Sequence, residues 1–303
     1  MDQYDIPILI LLFNRPDTTQ EVFNQVKKVQ PKRLFLAADG ARENVPGEKE
    51  RCEEAKKIAG QIDWPCEVKT LFQTKNLGML HGPATGIDWF FENVEGGIIL
   101  EHDCVPSLSF FKFAEAMLAK YRDDERVMHI SGNNFQQGRL VGEASYYFSK
   151  FNHVWGWASW RRAWKHFDTE LKTFPEFKKN DVIRGVWPEK NKAKVFLKIF
   201  QNVYSGKLVA WDYVWTYSVW AQGGLSILPN VNLVSNIGFG PNATHTNKKD
   251  DLMAMATGEI GEITHPKFIN SDYGADDFSF RKIYNSSLYK KIRYRLGQII
   301  KKI

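Results

Sequence analysis

The chain of 303 residues is 43% hydrophobic and 25% charged, with a formal net charge of +6. This length can bury a full core, and the composition excludes an intrinsically disordered chain. No stretch approaches the roughly 18 apolar residues of a membrane-spanning helix, and the polar start Met1–Asp5 before the short apolar run Ile6–Phe13 argues against a secretory leader.

Pro7–Phe13 is fully apolar and predicts a buried strand, after which Pro16–Thr19 caps a helix through Val22, Val26 and Val29. Lys32–Ala38 is a second strand ending at Asp39-Gly40, followed by a polar loop over 41–47 and a helix over 48–61. Cys66–Phe72 is a third strand, Asn76-Leu77-Gly78 a turn, and Gly82–Phe91 a helix. The fourth strand, Gly97–Leu100, runs into Glu101-His102-Asp103, and Pro106 is expected to stop it. A helix follows from Ser107 to Tyr121 and a strand over 127–132, after which the alternation fades into an aromatic, loop-rich half. Alternating strands and helices predict an α/β fold with a Rossmann-like, mainly parallel sheet flanked by helices. One domain is expected over 1–285, with a nucleotide-facing half (1–106) and an acceptor-facing half (107–285).

Residues 286–303 form a separate basic tail, with Ile292, Leu296, Ile299 and Ile300 at helical spacing among lysines and arginines. Such an amphipathic helix suits an anionic membrane surface, or else docks on its own domain with a solvated basic face. Cys52, Cys66 and Cys104 have no CxxC or Cys/His spacing and read as reduced thiols. The expected location is therefore cytoplasmic, with peripheral contact at the inner membrane face through the tail.

In an open α/β sheet, ligands bind outside the carboxyl ends of the strands. Three such ends carry chemistry here: Phe13-Asn14-Arg15-Pro16, Asp39-Gly40 and Glu101-His102-Asp103. Arg15 can pair with a phosphate beside a helix N-terminus. Asp39 can accept from a base imide or ribose hydroxyl, and Gly40 leaves room for a ligand. Two acids one residue apart suit a Mg²⁺ or Mn²⁺ ion that holds a diphosphate. The plainer readings are a surface ion pair for Arg15 and acidic turns for Asp39 and the triplet. Neither GxxxxGK[ST] nor GxGxxG follows the first strand, which argues against P-loop and dinucleotide-binding proteins.

The ordered set resembles the nucleotide-diphospho-sugar transferases of the GT-A fold, whose acidic D-x-D-type triplet here reads Glu101-His102-Asp103. The resemblance implies that Asp103 ligates the metal and that Glu101, with His102 between them, lies near the sugar-phosphate. Phe13-Asn14-Arg15-Pro16 is similar to the turn in the N-acetylglucosaminyltransferase I group whose Arg holds the diphosphate, and Asp39 matches its uracil-reading Asp. Asn76-Leu77-Gly78 is similar to the N-x-G segment of inverting family 2, which puts Asn76 and Gly78 on the donor side.

Gly156 and Trp157, in the run Phe151–Trp164, resemble the G-W loop that contacts donor sugar and acceptor, although the tryptophans also suit a packed helix start. Trp211-Asp212-Tyr213 resembles the segment supplying the catalytic base of inverting enzymes, which makes Asp212 the base; a helix N-cap is the plainer role. His245 resembles the C-terminal metal or diphosphate ligand, with His265 a weaker candidate. The resemblance spans Ile6 to Thr246 and implies an inverting, Mn²⁺- or Mg²⁺-dependent glycosyltransferase. Its donor would be a UDP-sugar and its acceptor a glycan or lipid-linked sugar in surface polysaccharide synthesis, with no nucleic acid partner. A sugar-phosphate nucleotidyltransferase is the alternative, although its Gly-rich loop is missing after the first strand. A non-catalytic glycan- or membrane-binding protein of the same fold is the other.

Overall fold

Every residue of β1 (Ile8–Leu12) is buried, because both faces of the strand are covered. Ile8, Ile10 and Leu12 face one apolar cluster while Leu9 and Leu11 face another, so one alternating strand feeds both cores. The computed structural model describes residues 3–238 and 255–284. In the first half, α1 (Pro16–Val29), β2 (Arg33–Ala38), α2 (Glu48–Lys56), β3 (Glu67–Phe72), α3 (Gly78–Asn93) and β4 (Gly96–Glu101) alternate as the sequence predicts. The helix expected from Gly82 begins earlier, at Gly78, whose φ of +79° favours glycine.

The second half adds β5 (Cys104–Pro106), α4 (Leu108–Lys120), β6 (Val127–Ser131), β7 (Tyr146–Ser149) and β8 (Trp157–Trp160). The short helices α5 (Arg161–Trp164), α6 (Phe174–Lys179) and α7 (Ile183–Val186) follow. The longer α8 (Lys190–Tyr204) and α9 (Trp211–Ala221) precede β9 (Leu225–Pro229), β10 (Val234–Asn236) and α10 (Tyr273–Ile283). Eight strands form one mixed sheet in the order β3-β2-β1-β4-β8-β6-β9-β7. Pairings β1–β2, β2–β3, β1–β4 and β6–β9 are parallel, while β8 runs antiparallel between β4 and β6, and β7 against β9.

The chain leaves β1 toward β2 and β3 and returns on its other side as β4, so the strand order reverses between β1 and β4. The crevice expected at such a reversal lies between the ends carrying Arg15 and Glu101. Two differences from the sequence expectation shape that crevice. Pro106 does not end the local strand structure: Cys104–Pro106 pairs as β5 with β10, with Asn236 opposite Cys104. Trp157–Trp160, read from the sequence as part of a G-W loop or a packed helix start, is an interior strand, buried throughout.

Among the described residues, no helix is long and apolar enough to cross a membrane. The basic tail lies outside the described residues, and the three cysteines are free thiols.

Candidate active site

Pro16 opens α1, where its fixed φ and missing N–H cost nothing, and Arg15 stands at the N-cap. The Arg15 carbonyl accepts from the Thr19 N–H at 3.0 Å and the Thr19 hydroxyl at 2.6 Å, which fixes the backbone beneath its side chain. Its buried guanidinium lies 3.8 Å from the Asp103 carboxylate. Asp103 is anchored by its backbone, whose carbonyl accepts from the Ile237 N–H at 2.8 Å. Among the described residues its carboxylate makes long contacts, 3.5 Å to the Asn236 amide and to the Cys104 thiol and 3.9 Å to the His102 Nδ1. Gly238 sits so close to that carboxylate that a Cβ would collide with it, so glycine is required there.

Glu101 is half-buried at the end of β4. Burial first, then the charges of Asp103 and Asp212, push its carboxyl up to about 8. His102 is held below its ordinary value by burial, against the pull of Asp103, and its buried Nδ1 has no hydrogen-bond partner. Asp212 occupies the first turn of α9, behind Trp211, which stacks on Trp157 at 5.9 Å. It is not the N-cap, which is Ala210. Burial raises its carboxyl, while the backbone N–H groups of Tyr213 and of Asp212 itself hold it back. The structure thus brings Arg15, Glu101, Asp103 and Asp212 together, from three separate segments.

Among the described residues no three His, Cys, Asp or Glu side chains form a closed metal cage. The donor set nevertheless fits a hard cation that brings phosphate oxygens of its own: a weakly bonded carboxylate at Asp103, with the Glu101 carboxyl two residues away. His245, the expected third ligand, lies outside the described residues. His265 bonds the Tyr146 hydroxyl at 2.9 Å, away from the carboxylates in sequence and element.

On the other side of Arg15, the Asn14 amide donates to Glu48 at 2.6 Å. Glu48, fully buried at the start of α2, also accepts from the Arg42 backbone N–H at 2.8 Å and from its guanidinium at 3.0 and 2.6 Å. Burial raises the Glu48 carboxyl, but the Arg42 and Asn14 hydrogen bonds outweigh it and leave it lowered. The Arg42 guanidinium lies 5.7 Å from the Phe13 ring centroid. Sequence reasoning missed Arg42 and Glu48, because a loop Arg and a helix-opening Glu are unremarkable until the fold pairs them six residues apart.

Asp39, expected to read the base, is engaged within the fold. Its carboxylate accepts from the Asn76 amide at 2.9 Å, from the backbone N–H of Leu77 at 2.8 Å and Gly78 at 3.0 Å, and from Gly40 at 2.8 Å. It thereby caps the start of α3, and Gly40 makes room for the backbone of Lys75 and Asn76. Trp157 is 0% exposed and stacks on His129 at 5.0 Å. Gly156 lies at the turn before β8 with φ +63°, and its carbonyl accepts from the Gly132 N–H at 2.8 Å. The register pairing Ile99 with Trp157 sets Gly156 beside the end of β4. Two surface hollows of about 350 and 370 Å³ lie elsewhere, along Arg184 and Lys194 in one case and Val186 and Trp220 in the other, and include none of these carboxylates.

No family profile matches the sequence, and no curated relative matches it. Among solved structures, the chain is similar to the mannosyltransferase PcManGT from Pyrobaculum calidifontis in complex with GDP-Man and Mn²⁺, at 10% identity and a TM-score of 0.34. That overlap covers 52% of this chain and 45% of the mannosyltransferase, so this chain spans less than half of it. The inositol-1-phosphate CTP transferase of T. maritima matches at 8% identity and a TM-score of 0.38, over 76% of this chain and 86% of that one. A UDP-glucose pyrophosphorylase complexed with UDP-glucose matches at 14% identity and a TM-score of 0.28, over 48% of this chain and 62% of that one.

Proposed function

We propose that the protein is an inverting, cation-dependent glycosyltransferase of the GT-A kind, moving a sugar from a nucleoside-diphosphate donor, a UDP-sugar, to a hydroxyl of a glycan or lipid-linked acceptor in surface polysaccharide synthesis. The observation that carries this reading is the gathering of charged groups at one place: Arg15 lies 3.8 Å from Asp103, and Glu101, raised first by burial, also feels the charges of Asp103 and Asp212. Carboxylates gathered at a strand-order reversal, with Arg15 beside them, suit a diphosphate leaving group on one side and a proton acceptor on the other.

Asp212, made more basic by burial, takes the proton of the acceptor hydroxyl as that oxygen attacks the anomeric carbon in a single displacement. Arg15 and the free N–H groups at the start of α1 hold the departing diphosphate, whose charge develops during the step. Asp103 would hold Mn²⁺ or Mg²⁺, which when bound supplies charge neutralisation at the diphosphate, and Glu101 would lie beside the sugar-phosphate. Phe13, Asn14 and Arg42 would line the nucleoside end. The basic segment from Tyr289 would keep a cytoplasmic enzyme beside its lipid-linked acceptor at the inner membrane face.

A panel of UDP-, GDP- and dTDP-sugars with Mn²⁺, scored for nucleoside diphosphate release and for the anomeric configuration of the product, tests this. Release with inverted configuration is expected. Pyrophosphate release from a nucleoside triphosphate and a sugar phosphate would instead identify a nucleotidyltransferase, and retained configuration would remove Asp212 as the base.

A further inference from the structure

Beside the carboxylates, the segments 131–135 and 151–157 run together. Ser131 is the register partner of Trp157, and the His153 N–H donates to the Ser131 hydroxyl at 3.1 Å. The Gly132 N–H donates to Gly156, and the Phe135 ring meets His153 edge-on at 4.5 Å and Trp155 at 5.1 Å. Between these contacts lies a concentration of unpaired polarity. Asn133 is 0% exposed, and neither its amide oxygen nor its amide nitrogen has a partner. The Asn152 amide nitrogen, the His153 Nε2 and the Trp157 Nε1 are also buried without partners. Its neighbour Asn134 is the opposite case, donating to the Pro229 carbonyl at 2.6 Å and accepting from the Gln136 N–H at 2.6 Å.

Buried polar atoms are normally satisfied, and a cluster that is not implies a partner from outside the chain. The chemistry of that partner follows from the atoms. Asn133 offers one donor group and one acceptor, Asn152 and Trp157 offer donors, and burial keeps His153 neutral. A set without formal charge that both donates and accepts matches hydroxyl groups rather than phosphate. The aromatic rings of Phe135 and Trp155 flank it, as suits the C–H face of a sugar. The β4–β8 register sets Gly156 by the end of β4, and Trp157 stacks on the residue before Asp212, so the cluster adjoins the carboxylates.

We propose that Asn133, Asn152 and His153 form a subsite for the hydroxyl groups of a neutral sugar ring, built at the carboxyl end of β6. This deepens the transferase reading and rests on it for which substrate carries the sugar. Either the donor sugar or the acceptor sugar supplies the ring, and the same chemistry serves both.

The test uses the full chain and its Asn133→Leu and Asn134→Leu variants. Leu matches Asn in shape, so removing an unpaired amide at Asn133 is expected to leave Tm unchanged or raise it, whereas removing the bonded amide at Asn134 lowers it. Glucose, galactose, mannose and N-acetylglucosamine are titrated by saturation-transfer NMR, with and without UDP and Mn²⁺, and UDP is compared with UDP-sugars by calorimetry. Asn133→Leu should weaken sugar binding at least tenfold while leaving the Kd of UDP unchanged. A loss confined to UDP-sugars assigns the donor ring, and a loss confined to free sugars the acceptor ring. The proposal is overturned if no sugar binds the wild type in either form, if Asn133→Leu binds sugars as the wild type does, or if its Tm falls as far as that of Asn134→Leu, which would mark a structural or water-bridged amide. Failure of UDP alone to bind, with free sugars still binding, sinks the transferase reading and leaves the subsite standing.

Discussion

Arg15 and Asp103 face each other at 3.8 Å across the strand reversal between β1 and β4, each side chain about one-tenth exposed. This is too long for a hydrogen-bonded pair, so the two charges offset each other's burial without being locked together. Each keeps capacity for another partner, an anion at Arg15 and a cation at Asp103. Asp103→Asn keeps the shape and removes the charge. Its affinity for UDP in Mn²⁺ should fall on the order of 10- to 100-fold, and chelation of the wild type by EDTA should reproduce the loss. Calorimetry decides: wild-type affinity in the variant would leave the cation no role at this residue.

Asp39 invites a different experiment. Three of the four hydrogen bonds on its carboxylate tie the end of β2 to the start of α3. Asp39→Ala should cost about 1–2 kcal/mol of stability, the scale of a lost helix cap, read as a fall in Tm. The preference among UDP, GDP and dTDP should not change. A variant that keeps its Tm but loses base selectivity would restore the base-reading role that the sequence resemblance implies.

These two residues show what was legible in the chain. Strands β1, β2 and β4 were readable because a parallel strand covered on both faces is an apolar run, and Arg15, Asp103 and Glu101 follow such runs directly. Strand β8 was not, since Trp157-Ala158-Ser159-Trp160 is neither apolar throughout nor alternating. Ser159 is buried there because its hydroxyl donates to the Met128 carbonyl at 2.7 Å. Asp39 could be seen to end a strand, but its partners lie 37 to 39 residues away and become neighbours only in the fold. The Asn133 cluster left no trace in the sequence, because satisfied and unsatisfied asparagines read alike.

Asp212→Asn separates base from scaffold. The helix start is held by Trp211 on Trp157 and by the Thr216 hydroxyl donating to the Asp212 carbonyl at 2.9 Å, neither of which needs the carboxylate. Folding and UDP affinity should therefore survive, while transfer falls about 10²- to 10⁴-fold, the range of a lost general base. Turnover within a few-fold of wild type would require another group to take the proton.

The last prediction concerns stability. Asp276 of α10 is 0% exposed and accepts from the Ser149 hydroxyl at 2.5 Å and the Lys150 N–H at 3.3 Å, which dock the helix on the end of β7. Burial drives its carboxyl up to about 7, against the lowering effect of those hydrogen bonds. In the unfolded chain it titrates near about 4. Between those values the folded state holds a proton that the unfolded state has released, so the stability it contributes is fully present below about pH 4 and is lost as pH rises toward 7. The loss amounts to roughly 2–4 kcal/mol over that window. Asp276→Asn cannot ionise and should abolish this component. Its Tm should exceed that of the wild type at pH 8, with the advantage shrinking steadily toward pH 5. Because Glu101, also raised, contributes in the same direction in both proteins, it is the difference between them that isolates Asp276. An equal Tm offset at pH 5 and pH 8 would mean that Asp276 stays ionised where it is buried.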